Sequence, residues 1–157
     1  MTVLTALSLS AVTAFPALAA SKLSSTDTQF LQQAAQSGAS EVNQAELELH
    51  SADRDAAAFA LRMVTDHTKA NAKLARIAKS LGATTVLKRA IAGAPQAGTM
   101  SGKEYLSAQV SAHQQAVQIF EQESADGKNA ALRAFAKATL PTLQAHLALA
   151  ERVSGKP

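Results

Sequence analysis

The chain has 157 residues, enough for one domain with a substantial core, and no cysteine, which excludes disulfides, thiolate catalysis and Cys-ligated zinc or iron–sulfur sites. Aromatic residues make up 4% and Trp is absent, while Ala is abundant, a composition that favours closely packed helices over sheets. The formal charge is only +3 and the single Tyr offers no aromatic interleaving, so nucleic acid is not an expected partner; the most basic strip, Lys69, Lys73, Arg76 and Lys79, reads as a solvated face.

Residues 3–15 carry no charge and are mostly apolar, Pro16 ends the run, and Ala17-Leu18-Ala19 follows as a small-x-small site. This pattern predicts a signal peptide over residues 1–19, cut after Ala19, although Met1 is followed by no Lys or Arg. Residues 20–157 would then form the mature domain in the periplasm or elsewhere outside the cytoplasm. No later run is apolar enough to span a membrane, which leaves peripheral association with the envelope as the membrane contact to expect.

Ser24-Ser25-Thr26-Asp27 offers N-caps for a first helix that runs to about Ser51. Ser51-Ala52-Asp53 makes a turn, and a second helix runs from about Asp55 to Leu81 with Gly82 as its stop. The segment 83–99 contains Gly93, Pro95 and Gly98, with room for one short helix around Val86 to Ile91. Ser101 caps a third long helix reaching about Ser124, Ala125-Asp126-Gly127 turns the chain, and the fourth runs from about Asn129 to Val153. Ser-Ala-Asp recurs at 51–53 and 124–126, each followed by Ala-Phe-Ala, at 58–60 and 134–136, as in a duplicated helical hairpin. The long link between the hairpins can climb the whole molecule. The expected fold is therefore all-α: an antiparallel four-helix bundle, ferritin-like in having a long crossover between helices 2 and 3.

Core seams recur at alternating spacings of three and four. The first helix gives Leu31, Ala34, Gly38, Glu41, Ala45, Glu48; the second gives Ala56, Ala60, Met63, His67, Ala70, Leu74, Ile77, Leu81. The third gives Leu106, Val110, His113, Val117, Phe120, and the fourth Leu132, Ala136, Thr139, Leu143, His146, Ala150, Val153. Three histidines thus take apolar positions, as does Glu41 between the small residues Gly38 and Ala45, whereas His50 fits no seam and should be exposed. With helices 2 and 3 parallel, the four residues fall within about 9 Å of one another along the bundle axis, at about 1.5 Å per residue. In a simple up-down bundle His146 would lie nearer the far end.

An ionised Glu in an apolar core costs several kcal/mol unless paired. One transition metal held by Glu41, His67, His113 and His146 would satisfy it, and that ligand set suits Zn, Fe, Mn or Cu. Asp66 could brace a ligand, although its place beside His67 turns it partly away. A hydrogen-bonded network, with protonated histidines paired to Glu41, would satisfy the same residues without metal. Pro141 interrupts the fourth helix and should kink it. No nucleophile motif, Gly-rich phosphate loop or HExxH pattern is present.

At these residues the chain resembles the family labelled domain of unknown function 4142, ferritin-like bacterial proteins described as exported or predicted outer-membrane proteins. The resemblance spans about Asp27 to Arg152 and rests on Glu41-Val42, on Arg62-Met63-Val64-Thr65-Asp66-His67-Thr68-Lys69-Ala70-Asn71, on His113 with Ala116, and on Thr139-Leu140-Pro141-Thr142-Leu143-Gln144-Ala145-His146-Leu147. The family pattern places Asp before the third-helix histidine, where this chain has Ala112, so any bracing role of that Asp is missing here. Two-iron sites use Glu-x-x-His on two helices. Val64 and Leu143 occupy the positions three before His67 and His146, so a single metal is what these ligands support.

The function expected from these residues is that of an exported envelope protein, not an enzyme, holding one metal in metal handling or envelope stress. A purely structural or interaction module without metal, and a metal-dependent oxidoreductase, are the alternatives.

Overall fold

The computed structural model describes residues 23–155. The signal segment expected over residues 1–19 lies outside them. The described residues contain no strand and five helices: α1 (Ser25–Glu48), α2 (Arg54–Ser80), α3 (Thr84–Ala92), α4 (Gly102–Asp126) and α5 (Ala130–Ser154). None is long and apolar enough to cross a membrane.

Each long helix begins where a side chain can accept the orphan amide protons of a first turn. Ser24 and Asp27 form a reciprocal capping box at α1, and Ser101 and Glu104 form another at α4. Asp53 accepts from the amides of Asp55 and Ala56 at α2, and Asn129 from those of Ala131 and Leu132 at α5. Helix α2 stops at Gly82, whose φ of +68° is the left-handed conformation that an L side chain resists. The first helix ends at Glu48, shorter than expected, and α4 runs on through Ser124-Ala125-Asp126. The second Ser-Ala-Asp is therefore the last turn of a helix rather than a loop. Counted instead from the N-caps, the two Ala-Phe-Ala motifs are equivalent, Phe59 standing six residues after Asp53 and Phe135 six after Asn129.

Two apolar clusters hold the helices together. One joins Phe30, Leu31 and Ala34 from early α1, Leu74 and Ala78 from late α2, Phe120 from late α4, and Leu132 and Phe135 from early α5, with α3 adding Leu87. Phe30, Phe120 and Phe135 form an aromatic knot there, with ring centroids 5.0 to 6.3 Å apart. The other joins Ala45, Ala56, Phe59, Met63, Tyr105, Leu106, Ala150 and Val153 at the opposite ends of the long helices. At Gly102 an added Cβ would lie 2.6 Å from Asp53 and 2.9 Å from Ala56, so the starts of α2 and α4 sit side by side. Asp27 ties the start of α1 to the α4–α5 turn by accepting from the amides of Lys128 (2.8 Å) and Asn129 (2.9 Å). Between the two clusters lies a polar layer.

Burial follows the expected seam closely on α5 and, except at the partly covered Glu41, on α1; on α2 Ala70, Ile77 and Leu81 are only partly covered and Ala78 is buried beside them. On α5 the buried set includes Leu132, Ala136, Leu143, His146, Ala150 and Val153, with Thr139 only partly covered. On α4 the seam needs correction: Gln109 is buried and Val110 and Val117 are only partly so, because the helix turns its polar Tyr105–Gln109–His113 edge inward. His50 is exposed, as expected. Helix α5 continues through Pro141.

Candidate metal centre

His67, His113 and His146 project from α2, α4 and α5 into the polar layer and are 8%, 1% and 2% exposed. Their ring centroids stand 5.3 to 5.7 Å apart. One ring nitrogen from each lies within 4.8 Å of the others. Nε2 of His67, Nε2 of His113 and Nδ1 of His146 are buried without a hydrogen-bond partner.

The hydrogen bonds made by the other ring nitrogens explain which way the lone pairs face. His113 Nδ1 lies 3.0 Å from the Gln109 carbonyl oxygen, which can only accept, so Nδ1 carries the proton and Nε2 is left bare. His146 Nε2 donates to Asp66 Oδ2 at 3.0 Å, which leaves Nδ1 bare. Two of the three rings are thus oriented by hydrogen bonds that aim an unprotonated nitrogen into the centre, the arrangement in which imidazoles hold metal ions.

Burial depresses the basicity of the trio further. His67 falls to about 3, first from desolvation and then from the neighbouring His113 and His146. His113 falls to about 4 through burial, against the hydrogen bond to Gln109. His146 is also lowered by burial, with Asp66 opposing. The rings are therefore neutral at physiological pH, and a network of protonated histidines is disfavoured by the same desolvation.

Glu41 stands outside the group of three but lines the same cavity. Burial raises its carboxyl to about 7, partly offset by a hydrogen bond with the Gln109 side chain, and its Oε2 has no partner. Gln109 therefore meets both halves of the site, through its carbonyl to His113 and its carboxamide to Glu41. Its place four residues before His113 puts it on the same helix face, a signal present in the sequence but hidden by the apolar Val110 beside it. Asp66, the sequence's candidate for bracing a ligand, does so across the helices, on His146.

The three facing nitrogens form a donor set that could hold a metal ion, and the Asp66 carboxylate stands behind one of the rings.

No curated protein and no solved structure matches the chain. A family model described as Domain of unknown function (DUF4142) matches residues 12–153. That span takes in every residue gathered around the polar layer and nearly all of the sequence, and the chain belongs to the DUF4142 family.

Proposed function

We propose that this protein is an exported, non-enzymatic envelope protein that binds one transition metal ion through His67, His113 and His146, with Glu41 as the candidate fourth ligand. The observation that carries this reading is the convergence of three buried ring nitrogens without partners, two of them held bare by hydrogen bonds behind the rings. Three imidazole acceptors facing one another are satisfied by a donor or a metal ion between them, and burial works against their own protonation. When bound, such an ion supplies Lewis acidity and, if it is Fe, Mn or Cu, one-electron chemistry. The chain's own residues hold the rings in place and keep them neutral.

The fold reading behind it is a ferritin-like antiparallel four-helix bundle of α1, α2, α4 and α5, with the α3 segment as a long crossover. The side-by-side starts of α2 and α4 support a parallel α2–α4 pair, which such a crossover requires. Export rests on the residue 3–19 pattern, and a role in metal handling or envelope stress follows from the two together. A metal-dependent oxidoreductase is the second reading, favoured by one observation: a cavity of about 410 Å³ reaches the trio and would give a substrate access.

The test is elemental mass spectrometry on mature protein purified from the periplasm without a metal-affinity tag, beside a His67→Ala/His113→Ala variant. About one equivalent of a single metal, lost in the variant, is the expected result. No metal in either protein, and no thermal shift on adding Zn, Mn, Fe or Cu, would make the trio a core polar network and move the search for function to the surface. N-terminal sequencing of the same preparation should read from Ala20.

A further inference from the structure

The cavity beside the trio is larger than a metal ion needs. At about 410 Å³ it falls within the range of roughly 300–1,000 Å³ typical of small-molecule pockets. Its polar end is the trio with Glu41, and it extends from there to an apolar wall of Ala34, Leu74, Phe120, Phe135 and Leu143. That wall is part of the first apolar cluster, so the polar layer and the apolar core meet in one chamber.

The charge of the lining narrows the occupant. No Lys or Arg lines the cavity, and beyond the trio its ionisable groups are Glu41 and Asp66. An anion would shed its water there without gaining a cation, whereas an uncharged apolar molecule gains from each contact with the wall. The chamber is also held open at its rim. Pro95 lines it from the segment that follows α3, and that segment is pinned to α1 on either side: Gln36 Nε2 donates to the Gly93 carbonyl at 2.7 Å, and Gln44 exchanges two hydrogen bonds with Gly98.

We infer that this chamber binds an uncharged, largely apolar small molecule carrying one nitrogen or oxygen polar atom. Its polar end meets the histidine trio and its apolar body lies against Phe120 and Phe135. The inference goes beyond the metal reading and does not depend on it, because the cavity and its lining are there whether or not the trio carries an ion.

The test uses the metal-free mature chain, so that its failure cannot be confused with failure to bind metal. Neutral 1-aminoanthracene is titrated by fluorescence beside the anionic 8-anilinonaphthalene-1-sulfonate. Saturable one-site binding of the neutral probe is expected, with the sulfonate about tenfold weaker or more. Ala34→Leu and Ala116→Leu narrow the chamber from two different helices, and either should weaken the neutral probe by about tenfold while helix content by circular dichroism is unchanged. In the unsubstituted chain the bound probe should move the side-chain NMR signals of His113 and His146 and leave those of the exposed His50 in place, a readout that survives if both variants unfold. Absence of saturable binding, equal affinity for the sulfonate, or a probe that leaves the trio's signals unmoved would overturn the inference.

Discussion

Asp66 Oδ2 accepts from His146 Nε2 at 3.0 Å, across the gap between α2 and α5 and 80 residues away in sequence, although its chain neighbour is His67. Successive residues on a helix point about 100° apart, so Asp66 cannot brace the ring next to it and reaches the one on the facing helix instead. Two adjacent residues thereby serve two different imidazoles of one site.

This arrangement predicts that Asp66→Ala lowers metal affinity by about 10–100-fold, the usual effect of removing a carboxylate behind a ligating imidazole. Asp66→Asn should lose less, because the carboxamide oxygen can still accept from Nε2. Competition against a chromophoric chelator measures both. Affinities equal to that of the unsubstituted chain would detach Asp66 from the site.

A second prediction concerns the metal-free protein, in which the trio is a liability. His67 Nε2 is buried and unpartnered, and such a group costs about 1–3 kcal/mol. His67→Leu replaces it with an apolar group of similar size, so urea unfolding of the metal-free variant should show a gain of about 1 kcal/mol. The same substitution should abolish metal-induced stabilisation. A loss of stability in the metal-free state would instead mark His67 as a satisfied member of a structural network.

A third prediction follows from Glu123, which is 1% exposed near the start of α1. Burial, and then the adjacent Asp27 carboxylate, raise it to about 7 from 4.5. A carboxyl raised on folding holds its proton more tightly in the native state. Its contribution is complete below about pH 4.5, declines as pH rises, and is gone once pH passes about 7. His67 and His113 act in the opposite sense: lowered from 6.5 to about 3 and about 4, they lose their contribution as pH falls below 6.5. Subtracting the stability of Glu123→Gln from that of the unsubstituted chain across pH 4 to 8 cancels the histidines. The difference should fall with rising pH and level off above about 7. A flat difference would show that Glu123 titrates as it does in the unfolded chain.

Much of this architecture is legible in residue spacing because helical periodicity is a local property. On α5 an alternation of three and four finds every buried position except Phe135 and adds only the partly covered Thr139, and the N-cap residues of the four long helices set their starts to within about two residues. The trio is legible for the same reason, since a histidine that interrupts an apolar seam must point where the seam points. What escapes are polar residues whose burial depends on a partner from another helix. Gln109 loses its place to Val110 when apolarity is the only criterion for facing inward. Glu123 lies one residue from the Ser-Ala-Asp motif that reads as a turn, and its neighbour Asp27 is legible as a cap residue but not as the acceptor for Lys128 and Asn129. The reach of Asp66 to His146 depends on the relative rotation of two helices, which no single helix encodes.

A contact between α1 and α2 gives the last prediction. The Asn71 carboxamide lies over Gly38 and donates through Nδ2 to the Gly38 carbonyl at 2.9 Å, and both residues line the cavity. In an open helix Gly→Ala is worth about 1 kcal/mol of added stability. Here the new Cβ would run into Asn71 Oδ1, so the carboxamide must swing away and the hydrogen bond is lost. Gly38→Ala should therefore destabilise the protein, by about 1–2 kcal/mol. Asn71→Ala removes the obstruction and the bond together. In the double variant the introduced alanine should recover its ordinary helix preference, and the two substitutions should couple by more than about 1 kcal/mol in a double-mutant cycle. Additive effects would mean that Asn71 moves aside without cost, and the α1–α2 approach would then be held by the apolar residues on either side of Gly38 alone.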